Sequence, residues 1–336
     1  MQKIKRMDLV NQLESVRKGL TAKEMIQQSN CFIFKDEFVY TFNDDIFAAC
    51  ETGLNIEGAI EADSLIKLLN RIKDDVIEIE VNNDELSISG KNFSTGIKIE
   101  NDILIPIDEI EIPDEFESVP KNFSHLAKLA CLTASKSLNM ALLTCVHIES
   151  DKIESCDNDR ITICRMDREF NHDILLPARS FSSIVKENIV GMSIDDSWTH
   201  FKTDEDVILS CRLFYNKDDD YVDLEEHIPD DEGRKITLPE EIEEIINRAD
   251  IFGKDQESGD RYAHISIKKG KLKVSAQNES GWYQESSKVK SKETIAFSVN
   301  TDFLRDILKM TNQISVVDDV LMFSSDDYTH IVKLEE

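Results

Sequence analysis

The stretch ESCDNDRITICRMD (154–167) sets Asp157, Asn158, Asp159 and Arg160 between two runs of alternating apolar residues. Three chemistries use such a cluster: a catalytic carboxylate, an oxygen-liganded metal loop, or a turn closed by an ion pair. The turn fits the local sequence best. Asn158 tolerates left-handed backbone, and Asp157 can accept hydrogen bonds from the backbone just ahead of it. Arg160 would then close a hairpin on Asp157 or Asp159 before Ile161 and Ile163 enter a strand. Elsewhere, NKDDDYVD (216–223) resembles a calcium loop but lacks the glycine and closing glutamate of an EF-hand, so a solvated acidic linker is expected. The seven histidines are scattered, and none pairs with another histidine or a cysteine at zinc spacing. There is no Walker loop, dinucleotide glycine pattern or Gly-x-Ser-x-Gly elbow, and SGKNFSTG (89–96) reads as a loop between strands. With 67 acidic residues, carboxylate pairs arise anywhere, so a hydrolase built on an Asp-rich loop rests on a weak signal. No metal or cofactor is expected.

The elements that position this cluster occur three times. Helix-like segments lie at 8–18, 121–137 and 239–250, each followed by a hairpin-like alternation at 32–44, 146–159 and 265–278. Each unit ends in a second helix, at 62–73, 178–188 and 301–311, and further strands. A period of about 114–122 residues suits a small domain, not a solenoid repeat. Joints fall at the acidic, proline-bearing stretches 106–120 and 216–233. The expectation is three α+β domains, 1–112, 113–232 and 233–336, each with two helices covering one face of antiparallel sheets.

Bulk composition excludes several classes. A hydrophobic content of 40% beside 32% charged residues describes a globular chain of 336 residues. The longest apolar runs, such as 103–105, cannot span a bilayer, and the basic start at Met1–Met7 lacks the apolar core of a signal peptide. Seven cysteines without a Cys-x-x-Cys pair read as reduced thiols, which predicts a cytoplasmic protein with no membrane partner. The net charge of −28 opposes nucleic acid only if it is evenly spread. The segments 62–73, 121–137 and 178–188 carry +2, +3 and +1, and all six helical segments together carry +2, leaving −30 for the rest. A shared neutral-to-cationic helical face is expected.

Four motifs then carry a resemblance. CDNDRITIC (156–164) is similar to a Thr-Asp-Gly-His-Arg-Leu-Ala motif, with Asp157 and Arg160 kept and Ile161 replacing leucine. LTCV (143–146) resembles Leu-Thr-Gly-Val, ILLPARSFSSIVK (174–186) a Leu-Pro-Ala-Lys helix start, and SAQNESGWYQE (275–285) an Ala-Asn-Asn-Pro-Glu strand. In this order they resemble the bacterial-type DNA polymerase III β subunits, the replicative sliding clamps, over all three units. The resemblance implies a head-to-tail dimeric ring that encircles duplex DNA without reading its sequence and catalyses nothing. It implies that a DNA polymerase and a clamp loader bind through short hydrophobic peptides. The matching cleft residues are Leu143, Cys156, Asn158, Arg160, Ile161, Ile228, Pro229, Ile331, Val332, Lys333 and Leu334. The implied DNA-facing residues are Lys67, Arg71, Lys73, Lys121, Lys128, Lys136, Arg179, Lys186, Arg305 and Lys309. Ile97 and Ile99 match one side of the subunit joint, and Ile251 and Phe252 the other. Departures are Asn158-Asp159 for Gly-His, Glu225 and Glu226 for arginines, and Val332-Lys333-Leu334-Glu335 for a Met-Pro-Met-Arg tail; an aromatic pair near 139–142 is missing. They suit a divergent, phage-type replicon with its own partner peptide. The competing expectation is an acidic clamp-like scaffold or decoy that does not encircle DNA.

Overall fold

The computed structural model describes residues 1–215, 221–256 and 259–335. Most of the calcium-like stretch, 216–220, lies outside them. Among the described residues there are six α-helices, and the chain is α+β: α1 (Arg6–Ser15), α2 (Ala62–Arg71), α3 (Phe123–Ala130), α4 (Ala178–Ile184), α5 (Ile242–Asp250) and α6 (Thr301–Leu308). None of them is long and apolar enough to cross a membrane. Each falls where the apolar period places it. In α2, Leu65, Ile66 and Leu69 are buried on one stripe, while the Glu61 carboxylate accepts the Ser64 N–H at 2.8 Å and caps the start. In α6 the Asn300 side chain caps Asp302 at 2.9 Å, and Leu304, Ile307 and Leu308 are buried. Helix α3 stops at Ala130, short of the expected 137. There Thr133 Oγ1 donates to the Ala130 carbonyl at 3.2 Å, and the Ser155 hydroxyl donates to it as well, so side chains replace the next helical turn.

The strands form four antiparallel sheets distributed over two compact units. One unit comprises Met1–His125 with Ile174–Tyr215. Its eight-stranded sheet runs continuously from the first repeat into the second, because Ile208–Arg212 pairs with Ile46–Leu54. Its four-stranded sheet ends at the edge strand Ser94–Lys98. Phe32, Phe34, Phe47, Ile33 and Ile60 are fully buried here beside Leu9 and Leu13 of α1 and Leu65 of α2.

The other unit comprises Leu126–Asp173 with Asn216–Glu336. Its six-stranded sheet is joined by Arg160–Pro177 pairing with Tyr328–Lys333, which places Ile161 opposite Ile331 and Thr162 opposite His330. Its four-stranded sheet orders Gly281–Lys288, Lys271–Asn278, Tyr262–Lys268 and Ile295–Asn300, with the edge at Gly281–Lys288. The tight turn at Lys269 (φ 52°) and Gly270 (φ 76°) has positive φ at both centres, as a two-residue hairpin requires. The segment Cys145–Cys156 is also a hairpin, as its alternation suggests. His147 Nδ1 lies 2.9 Å from Glu154 Oε1, whereas seven residues of straight strand would separate them by roughly 20 Å. The chain therefore reverses, and Ser150, at φ 53°, marks the place.

Two buried histidines of this unit give it opposed pH responses. His330 is fully buried, with Nδ1 2.8 Å from Thr162 Oγ1 and Nε2 without a hydrogen-bond partner. Burial, and then the charge of Arg160, push its pKa down to about 3. For His147, burial disfavours the charged form, but hydrogen bonds to Glu154 and Asp173 outweigh it and raise the pKa. A raised histidine stabilises below its unfolded pKa and loses that contribution as pH rises. A lowered one does the reverse: below about pH 6.5 the unfolded chain takes a proton that folded His330 refuses. The His330 contribution should therefore fall as pH drops from 7 to 5, by up to about 1.4 kcal/mol per pH unit, while His147 works in the opposite direction. Melting His330→Gln alongside the unaltered protein at several pH values checks this. The variant should show the shallower loss, and parallel profiles would rule the assignment out.

Candidate peptide-binding cleft

The Asp157–Arg160 cluster is a turn held by an ion pair. Asp157 Oδ1 accepts the backbone N–H groups of Asp159 at 2.9 Å and Arg160 at 2.7 Å, while Oδ2 accepts Arg160 Nε at 3.0 Å and Nη2 at 2.8 Å. The Asp157 N–H donates to the Arg160 carbonyl at 3.0 Å, closing the loop. Arg160 is 5% exposed; its guanidinium also lies 4.0 Å from the Phe303 ring centroid and 3.7 Å from Asp306 on α6. A desolvated arginine is tolerable only with such complete pairing. Phe303 and Asp306 escape motif reading, because only the packing of α6 brings them to residue 160.

Beside this turn lies an apolar cleft of about 350 Å³. It brings together seven of the residues singled out in the sequence: Leu143, Cys156, Asn158, Arg160, Ile161, Ile331 and Lys333. The pairing of Ile161 with Ile331 puts both side chains on one face. Asp157, Asp159, Val222, Leu224, His227, Asp319 and Val320 complete the lining. Four of the other expected members lie elsewhere. Val332 is fully buried and Leu334 is 9% exposed, because strand alternation turns both away from Ile331 and Lys333. Ile228 and Pro229 line an adjoining groove of about 360 Å³ with Ile163, Arg165, Glu225 and Tyr328. Ile161 and Ile228 both pack against the Val317, Met322 and Ile331 cluster, so the two hollows share an apolar floor.

The cleft is supported from behind. Tyr221 stacks on His147 with ring centroids 4.7 Å apart, and its hydroxyl is buried. This seats the start of the segment that supplies Val222, Leu224 and His227. Glu225, one of the departures from the family motif, pairs with Arg165 and lies 3.9 Å from Lys152. Burial pushes the Cys156 thiol up to about 11, so it stays a thiol at neutral pH and serves as an apolar wall. Among the described residues no group of three or more His, Cys, Asp or Glu could hold a metal ion. Chemically the cleft can bind an apolar side chain; nothing lining it is primed to react with one.

The other expected residues are placed individually. Lys67, Arg71, Lys73, Lys121, Lys128, Lys136, Arg179, Lys186 and Lys309 are exposed, with Lys136 beyond the end of α3. Lys67 pairs with Asp63 at 2.8 Å and Lys309 lies 3.9 Å from Asp306. Arg305 is half-buried and held by Asp302 and Asp250, so its charge is largely spent inside the fold. Of the joint residues, Ile251 is 64% exposed just past α5, Phe252 is half-buried against Gly281, and Ile97 is half-buried on the edge strand. Ile99 is only 1% exposed: past the strand end the chain bridges Ala59 to Glu100, tucking Ile99 against Gly58.

No protein-family model matches the sequence, and no curated protein matches it. Solved structures match it from end to end. A DNA polymerase III β subunit from Thermotoga maritima is 17% identical, with 99% of this chain and 98% of that one covered and a TM-score of 0.76. The DNA polymerase sliding clamp from Bacillus subtilis is 17% identical over the same shares, at 0.77. A sliding clamp from Pseudomonas aeruginosa, solved bound to griselimycin, is 14% identical over the same shares, also at 0.77. The chain therefore has the fold of the DNA polymerase III β subunit sliding clamps over its whole length, at very low sequence identity.

Proposed function

We propose that this protein is a DNA sliding clamp, a processivity factor that holds a replicative polymerase on duplex DNA. The observation that carries the reading is the convergence of Leu143, Cys156, Ile161 and Ile331 in one apolar cleft, on a fold similar to sliding clamps from end to end. Each chain contributes three domains, 1–112, 113–232 and 233–336. Two chains close head to tail, with cationic helix surfaces toward the DNA and the acidic remainder outside. The protein acts in the cytoplasm, needs no cofactor, and leaves the chemistry to the polymerase and the loader that dock in the cleft.

Two sheet edges support the closure. Ser94–Lys98 and Gly281–Lys288 each end a four-stranded sheet and leave ladder groups unpaired. A joint between different surfaces must close by rotation or grow into filaments. Ile97 and the exposed Ile251 lie on or beside these edges. Ile251→Asp combined with Phe252→Asp should convert a dimer into monomers at micromolar concentration, as read by sedimentation. A wild-type protein that stays monomeric when concentrated would exclude the ring.

Retention on DNA should be topological, since the helix segments together carry only +2 and direct phosphate contacts are few. Protein loaded on nicked circles should survive a high-salt wash and leave once the circle is cut. Equal loss from circular and linear DNA would count decisively against encirclement.

At the cleft, burying one apolar anchor is worth roughly 1.5–3 kcal/mol. Ile161→Asp or Leu143→Asp should therefore weaken binding of a labelled peptide carrying adjacent leucine and phenylalanine at least tenfold, with the dimer intact. Arg160→Ala should lower the melting temperature as well as the affinity, because it leaves the half-buried Asp157 without its cation. Wild-type affinity in both Asp variants would show that partners dock elsewhere.

A further inference from the structure

The four-stranded sheet of the second unit packs α5 on one face. Its other face is unusual for this chain and is open to solvent toward the edge strand Gly281–Lys288, while at Ile295–Asn300 it is bridged by Glu335 through Ser298. Residues 262–300 hold seven lysines against three glutamates, in a protein of net charge −28. Glu285 points to the α5 side, where Arg248 and Tyr283 hold it. None of the alternating positions on the outer face is a carboxylate. The register sets Lys268, Lys271 and Lys288 directly opposite one another across three strands, with Lys273 one row further along. Like charges in direct cross-strand opposition destabilise a sheet. Among the described residues none of these four lysines has an ion-pair partner. At the far end of the same face Trp282 is 69% exposed, beside an open hollow of about 690 Å³ lined by Lys273, His264 and Gln284.

We propose that this face binds single-stranded nucleic acid, with phosphates along the lysine rows and a base stacked on Trp282. Rows two residues apart are separated by about 7 Å, a repeat that an extended single strand can follow. Basic tracks beside an aromatic platform are how sheets bind single strands without reading sequence. An acidic peptide would use the lysines but leave Trp282 without a role, and a duplex keeps its bases inside the stack. The site lies on a sheet face, whereas the clamp reading sends duplex DNA past the helices. The strand Gly281–Lys288 also supplies the proposed joint edge, so the face site requires that the joint leave Trp282 open to solvent.

The test uses the full-length protein and its own fluorescence. The chain has two tryptophans, and Trp198 is only 4% exposed, so emission that solvent can reach comes from Trp282. Oligo-thymidylate of about 20 residues, enough for one or two single-strand sites, should quench that emission at low salt. A blunt duplex of equal length should not. Lys271→Gln with Lys288→Gln should weaken binding at least tenfold at low salt and reduce the log–log salt slope by about 1.4. By anisotropy of a labelled oligonucleotide, Trp282→Ala should weaken binding about tenfold, and Trp282→Phe should recover part of the loss. Unchanged emission on adding oligo-thymidylate would overturn the proposal. So would quenching by polyglutamate alone, which would mark an acidic-peptide surface; the titration is run at a protein concentration where assembly is complete, because Trp282 lies on the strand that also supplies the proposed joint edge.

Discussion

The cleft depends on one strand pairing, Arg160–Cys164 against Tyr328–Lys333, and on the buried ion pair at its end. The pairing joins residues about half the chain apart, and the register alone decides that Ile161 and Ile331 line the cleft together while Val332 turns to the opposite face. A slip of one residue would bury the anchor site and expose the core. Arg160 protects that register. Bound twice by Asp157, flanked by Asp306 and covered by Phe303, it ties the turn, the strand and α6 into one arrangement. His330, opposite Thr162, adds a neutral and fully buried contact two residues further along. The cleft is thus built on a strand ladder, and loop residues only complete its walls.

Charge in this protein is a matter of placement. An acidic chain of net −28 keeps its helix segments near neutrality and gathers lysines on one exposed sheet face. Several of the cationic helix residues are partly spent on local acids, Lys67 on Asp63 and Arg305 on Asp302 and Asp250. The lysine row on the outer sheet has no such compensation. Where cations are paired they support the fold, and where they are left opposed they mark surfaces that an anion would relieve.

The cleft combines an apolar floor with few groups able to react. The cysteine on its wall is held protonated by burial, and Tyr221 is locked against His147. Such a site recognises shape and apolar area. The adjoining groove beneath Ile228 and Pro229 presents more polar surface, with Arg165, Glu225 and Asp230 on its walls, whereas the cleft sets its charged residues around an apolar floor.

Much of this was legible in the sequence by itself. The three-fold order of helices, hairpins and strands follows from apolar periodicity, and all six helices lie where that period puts them. Asp157 announced a turn through local backbone chemistry, and that turn is present, although Asn158 does not take the left-handed backbone its type allows. Tertiary structure decided what local patterns cannot carry. Only the packing of α6 reveals that Phe303 and Asp306 serve Arg160, since no spacing rule links residues this distant in sequence. Only the register separates Ile331 from Val332, which are equally apolar. Helix α3 ended early because hydroxyls from Thr133 and Ser155 took its last carbonyl, a competition in which the partner lies 25 residues away. Ile99, an apolar residue near an edge strand, reads as a joint contact until the bridge from Ala59 to Glu100 turns it inward. Periodicity reports which face of an element is apolar; which neighbour covers that face is a long-range choice, made when the sheets close.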